Sequence, residues 1–192
     1  MGLRRSFKPT NLVANGNFAK GTSGWAATNS TITATDNILR VTGNGSAINP
    51  RCNQIILPLV SQQNKKTYIR TYARVTSADC ERIWMYWNVA GASHFIPTPV
   101  QNQWYFVSAV GVSNFGIIPA LFISQEYEDA STSVGKVLEI RECCAIDLSV
   151  VLPADILTLS NNDLKTWCDV NIPNWFDGTL SGGKFGGIGG LH

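Results

Sequence analysis

Charge is scarce in this chain. Of 192 residues only 15% are Asp, Glu, Lys or Arg, against about 25% in an average globular domain. Fifteen Lys and Arg face 13 Asp and Glu. The basic residues form no stripe, which argues against a nucleic-acid surface. No apolar run approaches the roughly 18 residues that a membrane-spanning helix needs. Histidine is limited to His94 and His192, and no Gly-rich phosphate loop precedes a helix. The five cysteines, Cys52, Cys80, Cys143, Cys144 and Cys168, are odd in number, lack a CxxC pair and have no paired histidine nearby. That argues against a zinc site and fits free thiols in a reducing compartment. Cys143 and Cys144 are adjacent, so in a strand they point to opposite faces, and only one of them is expected in a core.

Ser, Thr, Asn and Gly fill the place of the missing charges, with 10% aromatics. That composition excludes disorder and points to an all-β domain with polar loops. Strand-like runs follow one another at short spacing: Asn11–Phe18, Ser30–Thr35, Ile38–Thr42, Gln54–Leu59, Thr67–Thr76, Arg82–Ala90, Gln103–Val112, Ala120–Tyr127 and Val137–Leu148. Asp36–Asn37 and Gly43–Asn44–Gly45 read as turns. No long helical period intervenes, so the expected fold is a β-sandwich jelly roll. After Leu152 the pattern changes. Ser160 and the polar residues behind it read as the N-cap of a helix over about 161–170, stopped by Pro173. The tail SGGKFGGIGGLH carries Phe185, Ile188 and Leu191 at every third position, which fits anchors for a neighbour. The chain therefore divides into an N-terminal arm (1–10), a jelly roll (11–148) and an appendix (149–192) with a short helix and a Gly-rich tail. The basic N-terminal arm has no apolar stretch after it and does not read as a secretory signal.

Alternation assigns faces to two strands. Ile83, Met85, Trp87 and Val89 form a core side, leaving Arg82, Trp84, Tyr86 and Asn88 opposite. Ile69, Thr71, Ala73 and Val75 form a second core side, leaving Tyr68, Arg70, Tyr72 and Arg74 opposite. The connection Thr76–Glu81 is short, so the strands are expected to pair as a hairpin and merge their outer faces into one patch of Arg and aromatic rings. Rings match the C–H faces of sugars, and Arg and Asn match their hydroxyls. The same patch also fits a protein interface or cross-strand packing for stability alone.

Catalytic constellations are weak. Ser93–His94 is a neighbour pair in a turn with no orienting third group. Glu126, Glu128 and Asp129 cluster after a strand but read as loop carboxylates, not as a glycosidase pair. No cofactor is expected; loop oxygens of Asp147, Asn15 and Asn17 are weak candidates for a structural calcium ion, without the acidic cluster that such a site favours.

Two stretches carry a family likeness. The opening NLVANGNFAKGTSGW (11–25) with ILRVTGNG (38–45) resembles carbohydrate-binding-module-type jelly rolls of the galactose-binding-like superfamily. In that reading Leu12 and Phe18 anchor the first strand, Gly21 and Gly24 turn the chain, and Trp25 caps one end. The second stretch joins Ile146–Asp147–Leu148, Lys165–Thr166–Trp167–Cys168 and Pro173–Asn174–Trp175–Phe176–Asp177–Gly178–Thr179. Together with QWYFVS (103–108) it resembles tail and minor structural proteins of bacteriophages. The loop Ser149–Asp155 departs from that pattern by lacking its Gly and Glu, so no role is carried over for it. The resemblance implies a non-enzymatic virion protein (tail, fibre, baseplate or head decoration), made in a host cytoplasm and working as a homo-oligomer among other virion subunits. The expected partner is a host surface polysaccharide, contacted through the face that alternation assigns, with Arg70, Tyr72, Trp84 and Tyr86 as contacts and Tyr68, Arg74 and Asn88 at the rim. The alternative is a purely architectural assembly subunit.

Overall fold

The computed structural model describes residues 10–56, 64–88, 92–112 and 119–172. Within them lie ten strands: β1 (Ala26–Thr28), β2 (Ser30–Thr35), β3 (Ile38–Gly43), β4 (Arg51–Ile55), β5 (Lys66–Val75), β6 (Arg82–Trp87), β7 (Ser93–Pro97), β8 (Tyr105–Val112), β9 (Ala120–Glu126) and β10 (Val137–Asp147). Two helices follow, α1 (Ala154–Leu157) and α2 (Asn161–Asn171). The first sheet runs β1-β4-β9-β6-β7 and the second β2-β3-β10-β5-β8. Every pairing is antiparallel. This is the expected jelly-roll sandwich.

The main core lies between the sheets. It contains the two core sides read from alternation, with Ile69, Ala73 and Val75 of β5 and Ile83, Met85 and Trp87 of β6. Asp36 and Asn37 turn β2 into β3 at φ of 55° and 60°, the left-handed pair that a tight hairpin with native twist requires. Two strands escaped the sequence reading. β1 has three residues, and β7 was read as a turn around His94. Asn11–Phe18 is not a strand but a string of turns, although Val13, Phe18 and Trp25 are buried and Leu12 packs partly against the core. Phe18 and Trp25 meet at 5.4 Å. Gly21 and Gly24 take the expected positive φ.

β10 carries a bulge. Its register against β5 shifts between Arg141 and Cys144, with Glu142 at φ 57°. The opening segment closes this irregularity. Asn11 Nδ2 donates to the Cys143 carbonyl at 3.1 Å, and the Ala145 N–H donates to Asn11 Oδ1 at 3.0 Å. The Cys143 N–H donates to the Gly16 carbonyl at 2.9 Å. A side chain at Gly16 would place its Cβ 2.1 Å from the Cys143 oxygen, so this approach admits only glycine.

A second apolar cluster sits outside the sandwich, on the far side of the second sheet. Tyr68, Val110, Cys144, Ile146 and Leu148 meet Leu164, Cys168 and Ile172 of the helical appendix there. Ser160 caps α2 by accepting from the Asp163 N–H at 3.2 Å. Leu164 and Cys168, four residues apart, then fall on one buried stripe. The helix starts where the sequence places it, whereas Pro173 lies outside the described residues. Asp147 accepts from the Ser149 N–H at 2.8 Å and closes a short 3₁₀ turn at Leu148–Val150. This explains the Ile-Asp-Leu triplet, in which the apolar residues are buried and the acid caps the turn.

Three expectations are corrected. Cys143 and Cys144 do point to opposite faces, yet both are fully buried, because the appendix makes the outer face of the second sheet a core of its own. β5 and β6 do not pair. β5 lies between β10 and β8, and β6 between β9 and β7. Their connection crosses from one sheet to the other, and Ser77 and Cys80 are buried within it, unlike the exposed residues of a hairpin turn. Their outer faces therefore look in opposite directions and form no common patch.

Candidate functional site

The seven residues expected to form one face are distributed over three environments. Tyr68 and Arg70 are covered by the appendix, at 0% and 1% exposure. The Tyr68 hydroxyl donates to Asp169 Oδ1 at 2.7 Å, and burial pushes its pKa far up. Arg70 Nη1 donates to the Ile172 carbonyl at 3.3 Å. Tyr72 and Arg74 lie on the part of the second sheet that the appendix leaves uncovered. Trp84, Tyr86 and Asn88 lie on the outer face of the first sheet.

Register builds that first-sheet face row by row. Ala26, Asn53, Phe122, Tyr86 and Ser93 form one row across all five strands. Thr28, Arg51, Ser124, Trp84 and Phe95 form the next. Among the described residues nothing is packed over these rows as the appendix is packed over the second sheet.

The rings form a ladder. Tyr86 and Phe122 stack at 4.6 Å with only 5° between planes. Two coplanar rings lying side by side cannot approach so closely, so these overlap face to face and stand upright on the sheet. Trp84 meets Tyr86 at 4.7 Å. Arg51 and Arg82 close the ends, 5.2 Å from the Phe122 ring and 5.4 Å from the Trp84 ring. Arg51 Nη1 also donates to the Tyr86 hydroxyl at 2.8 Å. Burial raises the Tyr86 pKa, and the Arg51 guanidinium partly opposes it. Arg82 holds Glu126 with two hydrogen bonds, one of them 2.6 Å from Nη2 to Oε1. That pairing raises the Arg82 pKa.

The ladder consumes most of its own ring faces. The open apolar surface is next to it, at Phe95 of β7, which is 53% exposed and lies cross-strand from Trp84. Asn88 is engaged by the fold, since its Oδ1 accepts the Ala120 N–H at 2.7 Å. The arrangement can stack a flat apolar surface on Phe95 and the Trp84 edge, with Ser93 on the same strand and Arg51, Asn53 and Thr28 three to four strands further along the rows. Sequence reasoning missed Phe95, Phe122 and Arg51. Applying the same alternation to Ala120–Tyr127 would have found Phe122, whose neighbours Leu121 and Ile123 are core.

The weak catalytic candidates have other work. His94 Nδ1 lies 2.9 Å from the Ser108 carbonyl and 3.1 Å from its N–H, joining the edge strands of the two sheets. Its pKa is lowered, chiefly by burial. Glu126 is held by Arg82, while Glu128 and Asp129 are exposed on a turn. The calcium candidates are committed to loops. Asn15 bonds the Gly21 and Ser23 carbonyls and the Lys20 N–H, Asn17 accepts from Ala19, and Asp147 caps the 3₁₀ turn. Among the described residues no group of three His, Cys, Asp or Glu side chains is placed to hold a metal.

No family model matches this sequence, and no curated protein matches it. Solved structures do match by shape. An arabinose-bound MgGH51 α-L-arabinofuranosidase superposes with a TM-score of 0.55 at 9% identity, over 80% of this chain and 29% of that one. The CBM22-1–CBM22-2 tandem domain of Paenibacillus barcinonensis Xyn10C gives 0.52 at 13% identity, over 70% of this chain and 49% of that one. The CBM22-1–GH10 modules of Clostridium thermocellum Xyn10B, complexed with xylohexaose, give 0.51 at 10%, over 73% and 28%. This chain thus spans less than half the length of each of these structures. At such identities the likeness is one of fold: the chain has the β-sandwich architecture also found in these carbohydrate-active proteins.

Proposed function

We propose that this chain is a non-catalytic carbohydrate-contact domain that uses the outer face of its first sheet. The observation that carries this reading is Phe95, a half-exposed ring beside Trp84 on a sheet face that the described residues leave open. Phe95 and Trp84 supply the stacking surface. Arg51, Asn53 and Ser93 supply hydrogen bonds to hydroxyls, the usual division of labour in a ligand site. Fold alone does not assign function, so the argument rests on this face. The partner proposed is a host surface polysaccharide, and the setting a virion subunit made in a host cytoplasm. That setting is supported by the sequence resemblance at Ile146–Leu148 and Lys165–Cys168. The test is affinity electrophoresis or titration calorimetry against a polysaccharide panel with wild type, Phe95→Ala and Trp84→Ala. Retained binding in both variants, or none in wild type across the panel, removes the reading.

A second reading is an architectural subunit with no glycan. The ring ladder favours it, because rings that stack on each other stabilise the sheet without a ligand. Burial of Phe95 against another subunit in an assembled particle would decide for it.

A further inference from the structure

A second polar site lies on the other side of the sandwich, where the bulge of β10 meets the β2–β3 turn. A cleft of about 290 Å³ is lined there by Asn17, Asp36, Asn37, Ile38, Arg141 and Glu142. It is small for a ligand site and suits one ring-sized molecule.

Its chemistry is mixed. Arg141 is held from one side by rings, with its guanidinium carbon 4.5 Å from Trp104 and 5.2 Å from Tyr72. Its Nε is buried without a hydrogen-bond partner, and its nearest carboxylate, Glu142, is 3.9 Å away. Glu142 reaches the cleft because it occupies the left-handed bulge position, and bulges of this kind re-aim side chains. Asn11 and Gly16 fix that backbone, so the groups stand in place before any ligand arrives. Across the cleft, Asp36 and Asn37 project from the hairpin turn and are exposed. Asn17 uses its Oδ1 on the Ala19 N–H at 3.2 Å, which leaves its amide NH₂ for another acceptor. Ile38 adds one apolar contact.

We propose that this cleft binds a single neutral pyranose unit, distinct from the first-sheet site and independent of it. The guanidinium fork and the two carboxylates match neighbouring hydroxyl pairs, each able to accept or donate twice. Ile38 matches the C–H face, and the Tyr72 and Trp104 rings hold the guanidinium in place. Two carboxylates against one guanidinium leave the cleft net negative, which rejects an acidic sugar.

The experiment is titration calorimetry of the full chain with glucose, galactose, mannose, N-acetylglucosamine and galacturonate, and separately with calcium chloride. Saturable binding of at least one neutral pyranose is expected. Measured in a Phe95→Ala background, which removes the first-sheet stacking ring, Arg141→Ala and Glu142→Gln should weaken it tenfold or more and Asp36→Asn at least threefold. Asp36→Asn keeps a residue suited to the turn, so its result does not depend on whether the bulge variants fold. Failure of every neutral sugar to saturate overturns the proposal. Undiminished binding in Arg141→Ala or Asp36→Asn overturns it too, as does saturation by galacturonate or calcium alone. Loss of binding in Phe95→Ala would place the sugar on the first sheet and overturn the cleft as its site.

Discussion

The two sheets have outer faces of similar composition and opposite fates. Each carries Arg alternating with aromatic residues. On the first sheet these side chains stack into a ladder that faces outward. On the second sheet half of them are buried beneath α1 and α2, where Tyr68 and Arg70 become part of a second core. The remaining half keeps a charged surface, with Glu139 bound by both Arg40 at 2.9 Å and Arg74 at 2.6 Å. An Arg/aromatic face is therefore a chemistry that a chain can either cover with its own helix or leave for a partner. What decides is the presence of an apolar stripe elsewhere in the sequence, here Leu164, Cys168 and Ile172, to complete it.

The largest effect should come from removing that stripe. Leu164→Ala leaves a cavity at a fully buried position and should cost about 2–5 kcal/mol, read by urea unfolding. A loss below about 1 kcal/mol would mean that the second core contributes little and the contrast between the faces is superficial. Thiol labelling separates the two cores more finely. All five cysteines are free and buried, and burial pushes Cys80 up to about 11 and Cys143, Cys144 and Cys168 up to about 12. Wild type should resist a thiolate-selective reagent at pH 8. In mild denaturant Cys144 and Cys168 should react together, ahead of Cys52 and Cys143, because only the helices must lift to expose them. Simultaneous reaction of all four would show that the sandwich and its cover open as one unit.

On the open face, Phe95→Ala should weaken polysaccharide binding about tenfold while changing stability by less than about 0.5 kcal/mol, since an exposed side chain supports little of the fold. A large stability loss would make Phe95 a packing residue. The smallest effect concerns the seam between the sheets. His94 bonds the Ser108 backbone, and Lys165 and Asp169 of α2 act on its charge with opposite signs. Because burial dominates and lowers its folded pKa, the unfolded chain takes up the proton more readily. Stability should be full above about pH 6.5, the ordinary histidine value, and should decline as the pH falls below it toward the lowered folded value. Urea midpoints between pH 5 and 8 should flatten in His94→Gln, and an unchanged slope would remove His94 as the cause.

Much of the sandwich was legible in the sequence. Period-two alternation placed β2, β3, β5, β8, β9 and β10 within two residues at each end and β6 at its start, and Ser160 marked the start of α2. β1 and β7 were not legible, because Ala26–Thr28 is too short and Ser93–Pro97 has only Ile96 as an aliphatic inward residue. The site was half legible. Alternation correctly separated inside from outside on β5 and β6, but it carries no information on which sheet a strand joins. One signal was present: Cys80 in the Thr76–Glu81 connection is an apolar residue that a hairpin tip would leave in water. Burial of the N-terminal half of β5 on both sides was equally hidden. It depends on a helix about 100 positions away, as the Tyr68–Asp169 bond shows with a separation of 101.

The clamp at the β10 bulge has a consequence for how the chain acquires its shape. Two of the Asn11 hydrogen bonds go to the backbone of Cys143 and Ala145, 132 and 134 positions later, and β3 also pairs with β10. On a ribosome the opening segment must wait, unpaired, while most of the chain is made. Neither half of the sandwich can reach its final register early, and such non-local closure is slow. The polar, Asn- and Gly-rich character of residues 11–24 suits that interval. A segment that stays hydrated until its partner emerges offers little for a neighbouring nascent chain to aggregate with.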